Sequence, residues 1–409
     1  MIVVSLLTVS GLIWLFALWR QLHVPVWIAV SLGLALRLIA FNFEPFEELD
    51  FFRYFWDGKL LAHGFNPYAY PISDFLTKLP PEILALQKQE TALISSIRQD
   101  TLLFSTIYAP LAIVSFALID LLPGPISSGF FTSFILAELA TLVILKRWAR
   151  PHEFQYCAWA IALNPLLVLV TYNGLHFDVW LFPALLGWLL SLREGRIIPA
   201  IIFLLLAIAI RHWPILLVPI TLSALPTFRL QIIVGLALAS LISLIFLPQA
   251  IYFMTDHSGL RAYSRYWELN DAIFTVLSRL FGQSPARILS LCVPILLSLM
   301  LPFSKLKNNP ALVALILTGS LLMLSPTFFP WYWVWIVPFL LTTYHPIRWS
   351  GLVLVATLPL YYLRPLFQES DLEMFFDKVL VWLEFGPSIA LALALYLKNV
   401  ARKFNNPSA

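Results

Sequence analysis

Apolar stretches recur along the whole chain, near residues 2–19, 24–41, 102–122, 128–146, 154–172, 177–192, 197–225, 230–248, 285–302, 310–325, 331–343, 349–364 and 379–397. Most approach the ~20 helical residues that cross a hydrocarbon core, and shorter ones such as 331–343 extend into Trp-rich flanks. In lipid every backbone donor and acceptor must bond within its own segment, so the pattern predicts helices. Stretch 197–225 is interrupted by Arg211-His212-Trp213-Pro214, which predicts a broken segment that dips in and returns. Sizeable polar stretches are confined to 42–101, 249–284 and 364–378, and no internal repeat, low-complexity tract or appended soluble domain stands out. The expectation is a single integral membrane domain over 1–409, an all-α polytopic transmembrane helical bundle of about 11–14 membrane segments.

Composition sharpens this picture. Of 409 residues 60% are hydrophobic and 12% charged, with mean hydropathy +0.85. Soluble domains average about 45–50% apolar and about 25% charged, so lipid must solvate much of this surface. The net charge of +4 is scattered, with no basic stripe, which argues against nucleic acid as a partner. Cys157 and Cys292 lie inside apolar stretches, and their spacing suggests neither a metal site nor a disulfide framework. No basic region precedes the first apolar run and no small-residue cleavage site follows it, so 2–19 is expected to be a retained membrane segment.

Short-loop charges give the expected orientation. Arg20, the Lys146-Arg147-Trp148-Ala149-Arg150 cluster, Arg193 with Arg196, Arg229, Lys305 with Lys307, Arg348, and the tail with Lys398, Arg402 and Lys403 mark the cytoplasmic side. The three polar stretches then lie outside, 42–101 as the first outer loop and 249–284 as the second. Two apolar stretches separate 42–101 from the basic cluster where an odd number is needed. The Leu122-Pro123-Gly124-Pro125 linker suggests that one of them does not fully cross.

The richest chemistry runs from Glu44 to Pro71, directly after an apolar stretch, so Glu47, Glu48 and Asp50 are expected at the outer membrane surface. Continued as an interfacial helix, this segment puts Asp50, Arg53, Tyr54 and Asp57 on one face. A carboxylate there can accept a proton from an attacking hydroxyl, and an arginine can hold a phosphate by paired hydrogen bonds. Phe51, Phe52, Phe55 and Trp56 would hold the helix in the interface. The plain alternative is an amphipathic helix whose charges merely face water. Gly64-Phe65-Asn66-Pro67-Tyr68 reads as a turn out of the helix.

Asp50-Phe51-Phe52-Arg53-Tyr54, then Trp56-Asp57-Gly58, then Gly64-Phe65-Asn66-Pro67-Tyr68, resembles the first outer loop of a bacterial family of GT-C-fold glycosyltransferases that use polyprenyl-phosphate sugars, often mannosyltransferases. Further similarities follow in order. Ile107-Tyr108-Ala109-Pro110-Leu111 resembles the family's I-Y-P-P-L, with Ala109 in place of a proline. Asn164-Pro165-Leu166 with Gly174-Leu175-His176-Phe177-Asp178 resembles N-P-L…G-H-x-D, with Leu175 as one extra residue. Trp267-Glu268-Leu269-Asn270 resembles an outer-loop W-x-x-N, and Pro330-Trp331-Tyr332 a late P-W-Y.

The resemblance implies a GT-C-like bundle whose long first outer loop, carrying interfacial helices, covers a cavity open to lipid. It implies Asp50 as catalytic base, deprotonating an acceptor hydroxyl that displaces polyprenyl phosphate from the anomeric carbon with inversion. The donor would be a polyprenyl-phosphate sugar; the acceptor a glycan, lipid or protein; a divalent cation is admissible; and the setting is a bacterial inner membrane with the site facing the periplasm. Candidate donor- and substrate-binding residues are Arg53, Tyr54, Asp57, Lys59, Asn66, Tyr68, His176, Asp178, Arg211, His212, Trp267 and Asn270. Arg53, Lys59 and Arg211 with His212 are the candidates for stabilising the leaving phosphate. One His and one Asp at 176 and 178 are too few to claim a metal site.

Arg211 lies deep in an apolar stretch, where an unpaired charge costs about 2.5–3.5 kcal/mol on insertion scales, so it should face a cavity or a partner. Arg37 reads as snorkelling or paired, and Glu138 as paired with a cavity group. A secondary transporter, a non-catalytic member of an envelope complex, and a polysaccharide ligase or polymerase using a lipid diphosphate donor remain the alternatives.

Overall fold

The computed structural model describes residues 1–409 apart from 23, 47, 48, 74, 367–378 and 406–409. The expectations placed on Glu47, Glu48 and most of 364–378 lie outside the described residues, as do those on the side chains of Arg402 and Lys403.

The chain is all-helical, 77% helix with no strand among the described residues. In order the main helices are α1 (Ile2–Trp19), α2 (Val26–Asn42), α3 (Asp50–Ala62), α4 (Pro81–Gln89), α5 (Pro110–Asp120), α6 (Ile126–Trp148), α7 (Pro151–Ala162), α8 (Leu181–Arg193), α9 (Ile197–Ile210), α10 (Phe228–Ala250), α11 (Gln283–Met300), α12 (Pro310–Leu324), α13 (Arg348–Thr357) and α14 (Val381–Asn405). Sequence chemistry sets many of the starts. Proline stands at the first turn of α4, α5, α7 and α12, where its missing N–H is harmless. Thr227 and Asn309 accept side-chain caps from Leu230 and Leu312.

Several long apolar helices fit a multi-pass integral membrane protein. Among the described residues five helices are long and apolar enough to cross, within 2–19, 126–148, 228–250, 283–303 and 381–398. A sixth span is formed if α7 and the 165–173 segment, bent by 47°, count as one. The larger number of segments expected from sequence includes apolar helices of 10–17 residues. The 102–122 stretch is one such case: only α5 is helical, and its 11 residues rise ~16 Å against a ~30 Å core. The predicted break in 197–225 is present, with α9 ending at Ile210 and a tight helical turn starting at Trp213.

The chain forms two compact units, neither of them contiguous in sequence. Unit 1 comprises Met1–Ala40, Leu145–Val170 and Glu268–Ala409. Here α7 stops at Ala162 because Asn164-Pro165 follows, leaving its last carbonyls without helical partners. Arg37, 2% exposed, donates to the carbonyls of Ala162 (2.7 Å), Ile161 (3.2 Å) and Gly33 (2.9 Å). The arginine of this apolar helix is therefore a cap for a broken helix rather than a snorkelling group. Gly33 makes the approach feasible, since a Cβ there would lie 2.5 Å from the Ala162 oxygen.

Unit 2 comprises Phe41–Ile144 and Thr171–Trp267. Its centre is α3 packed on α5, again through a glycine: a Cβ on Gly58 would stand 2.7 Å from the Phe116 carbonyl carbon. Trp56 is fully buried with Leu60, Ile72, Leu79, Ile83, Leu86 and Ile97 from the rest of the loop. The expected interfacial role of the α3 aromatics gives way accordingly, since Phe51, Phe55 and Trp56 are core residues. An apolar stripe reads the same whether lipid or protein covers it, and here protein does. The charges of α3 do not simply face water either, because Arg53 and Asp57 are buried as a pair 2.9 Å apart.

Candidate functional site

Asp50 is the first helical residue of α3, where the helix dipole favours a carboxylate. Its surroundings outweigh that preference. The carboxyl is hemmed in by protein atoms, yet 23% of its side-chain surface stays accessible. Burial raises its pKa above the ordinary aspartate value; Arg98 pulls it back most, Asp100 raises it, Arg211 lowers it and Asp178 raises it. Arg98 lies 3.8 Å from the carboxylate and is also bridged to Asp100 at 2.7 Å.

One helical turn on, Tyr54 is buried, and its hydroxyl hydrogen-bonds with Nδ1 of His176 at 3.1 Å. Its ring packs against Tyr108 (4.9 Å), Phe116 (5.1 Å) and Phe177 (5.2 Å). Burial first, and Arg211 second, hold His176 neutral, well below the usual imidazole range. Two residues further, Asp178 receives both arms of Arg211 at 2.8 Å each, and the guanidinium lies 4.1 Å over the Phe177 ring. The partner predicted for Arg211 is thus Asp178, itself a sequence candidate.

Local backbone explains how these side chains meet. Pro165 starts a short helix capped by Asn164, which gives way to a wide turn at Leu169–Asn173. Leu175, the extra residue, then takes a left-handed φ of +52° before His176 and the tight turn Phe177–Trp180. Branched residues rarely occupy that region, so the insertion is absorbed as a sharp change of direction. Arg211 comes from the break after α9. His212 beside it hydrogen-bonds with Gln249 (2.8 Å) and stacks on Phe246 (5.0 Å).

The remaining candidates are committed elsewhere. Arg53 donates to Asp57 and to the Thr101 carbonyl, so Arg53 and Asp57 tie α3 to the end of its own loop. Lys59, nine residues after Asp50, is bridged to Glu90 (3.3 Å) and Asp120 (3.2 Å). Asn66 accepts from the Tyr68 N–H within the turn, where Gly64 has φ +84°, and the Tyr68 hydroxyl donates to the Tyr108 carbonyl at 2.8 Å. Trp267 packs on Tyr263 and Phe104. Asn270 belongs to unit 1, where its amide donates to Glu384 at 2.9 Å, both residues being buried.

Sequence reasoning missed Arg98 and Asp100, and quoted Tyr108 only as part of a motif. An Arg-x-Asp at the end of a long polar stretch carries no signal of what it faces. Among the described residues no three His, Cys, Asp or Glu side chains converge as metal ligands would. No protein-family model, curated protein or solved structure matches the chain.

Proposed function

We propose that this chain is a membrane glycosyltransferase of GT-C type that moves a sugar from a polyprenyl-phosphate donor to an acceptor hydroxyl, with inversion, on the extracytoplasmic face of a bacterial inner membrane. The ordered motifs of the first loop support this reading. The observation that carries it is Asp50: an accessible carboxylate with a raised pKa, one helical turn from the linked Tyr54, His176, Asp178 and Arg211. A carboxyl moved up from the ordinary aspartate value is a stronger base once ionised.

In this mechanism Asp50 takes the proton of the acceptor hydroxyl. The oxygen forms its bond to the anomeric carbon as the bond to the phosphate oxygen breaks, and polyprenyl phosphate leaves with that electron pair. The leaving group is already a phosphate, so positive charge does the work of an acid. Arg98 and Arg211 are the cations whose fields reach Asp50, and Arg98, with 36% of its side chain exposed, is the more open of the two. Arg53 and Lys59 contribute to the fold of the loop, each being held by protein carboxylates.

The test is transfer from a panel of radiolabelled polyprenyl-phosphate sugars into membrane extract, by protein in lipid nanodiscs. Asp50→Asn should lose about 10²–10⁴-fold in rate with an unchanged unfolding temperature. Wild-type transfer that survives the substitution removes Asp50 as base. The rival reading, a secondary transporter, draws on the charged pair at the broken 197–225 segment. Solute flux in vesicles, with no transfer from any donor, would put it in place of the enzyme.

A further inference from the structure

Unit 1 contains a buried carboxyl that the proposed transfer chemistry does not use. Glu384 is 0% exposed and lies in the first turn of α14, a helix apolar enough to cross a membrane. Asn270, 4% exposed, donates its side-chain N–H to Glu384 Oε2 at 2.9 Å. The other oxygens of the two groups, Glu384 Oε1 and Asn270 Oδ1, have no hydrogen-bond partner among the described residues and are sealed from water. No Lys, Arg or His among the described residues pairs with Glu384. Arg287, on α11, is already bridged to Glu268.

This pair is short of one donor. An ionised carboxylate held by a single neutral amide, away from water and from any cation, is strongly unfavourable. The helix dipole at the first turn favours an anion, but that effect is small beside the cost of sealing an ion from water. A water molecule cannot supply the donor, because neither oxygen keeps surface for it to touch. A proton can. On Oε1 it turns that oxygen into an O–H donor and leaves Oε2 as the acceptor. The O–H then donates to Asn270 Oδ1 while the Asn270 N–H donates to Oε2. Both orphan oxygens are used, in one ring of two hydrogen bonds.

The pair holds the end of the second outer stretch. Asn270 has a left-handed φ of +56°, which asparagine tolerates better than most residues. The residue before it, Leu269, donates its N–H to the Pro326 carbonyl (3.0 Å) and accepts from the Phe328 N–H (2.9 Å). Phe328 in turn packs edge-on against Phe385, next to Glu384, with centroids 4.9 Å apart. Backbone bonds thus fasten this corner to 326–328, and the side chain of Asn270 fastens it to α14.

We propose that Glu384 is a proton-binding site: a neutral carboxylic acid joined to Asn270 by two hydrogen bonds, which locks the end of the second outer stretch to α14. The site lies within unit 1 and stands or falls apart from the transfer reaction.

The test is infrared difference spectroscopy of the full chain in lipid nanodiscs at neutral pH, wild type minus Glu384→Gln, beside an unfolding scan of each. The difference should show the carbonyl stretch of a protonated carboxylic acid. Glu384→Gln should unfold at the wild-type temperature, since an amide N–H in place of the acid O–H keeps both bonds. Asn270→Gly accepts the left-handed backbone and deletes the amide. It should move the acid carbonyl to higher frequency and speed hydrogen exchange at the Leu269 N–H about tenfold, the worth of about one hydrogen bond. Carboxylate bands in place of the acid band, or an acid band unmoved in Asn270→Gly, would overturn the assignment. So would a Glu384→Gln variant that fails to fold, because it keeps every bond the lock needs.

Discussion

Arg37 and Arg211 both lie in apolar parts of the chain, and their surroundings differ in kind. Arg37 is 2% exposed and gives its N–H groups to backbone carbonyls at the end of α7. Arg211 is 12% exposed, meets a carboxylate with both arms and lies over an aromatic face. The first arrangement uses the guanidinium as a fan of donors that mends a helix broken by proline. The second builds a charged pair whose two members both act on the titration of Asp50. An arginine inside a membrane segment is therefore not by itself a sign of chemistry. What distinguishes the two is whether the partner is backbone or another ionisable group.

The largest expected effect comes from breaking the second arrangement. Asp178→Asn leaves the Arg211 guanidinium without its carboxylate and should lower stability by about 3–5 kcal/mol, read from denaturant unfolding in micelles. Replacing both Arg211 and Asp178 with leucine should recover most of that loss. A drop in the single variant no larger than about 1 kcal/mol, as for an exposed pair, would mean that the pair is not desolvated. The first arrangement is tested by Arg37→Leu, which strips the donors from Ile161 and Ala162. The expected loss is about 1–3 kcal/mol, with the pH dependence of transfer unchanged in the folded protein. A displaced pH profile would erase the distinction between the two arginines.

The smallest effect on stability, and the sharpest on chemistry, belongs to Arg98→Gln. The pair with Asp50 is long and partly exposed, so stability should change by less than about 1 kcal/mol. Burial already raises the Asp50 pKa, and Arg98 is the group that most opposes the rise. Removing it raises the pKa further. The base acts only when ionised, so the acidic limb of the pH–rate profile should move to higher pH. A limb that stays in place or moves down would separate Arg98 from the reacting carboxylate.

Hydrophobic period made much of the membrane architecture readable. The first helix and the break at Arg211 follow from apolar run length and proline, and a helix through Asp50, Arg53, Tyr54 and Asp57 is one of the readings open for the first polar stretch, without its starting residue. Two things were hidden. The 102–122 stretch is broken only by Ser105-Thr106 in its first half, but residues 105–109 lead into Pro110 without forming a helix, and hydropathy cannot separate a buried loop from a span. The partner of each charge was hidden too. Asp178 and Arg211 are 33 residues apart and Asp50 and Arg98 are 48 apart, so only tertiary packing joins them. The Trp-Asp-Gly motif illustrates the same limit. Its Trp56 fills a core, its Asp57 pairs with Arg53, and its Gly58 admits Phe116.

That last contact turns α3 into a lever. Gly58 is pressed against the backbone of its neighbour, and Asp50 lies eight residues away at the start of the helix, ~12 Å along the axis. A tilt of about 10° about this contact would swing the carboxylate by about 2 Å, and displacements of about 1 Å at a reacting group are already damaging. The aim of the base is thus fixed by a missing methyl group far behind it.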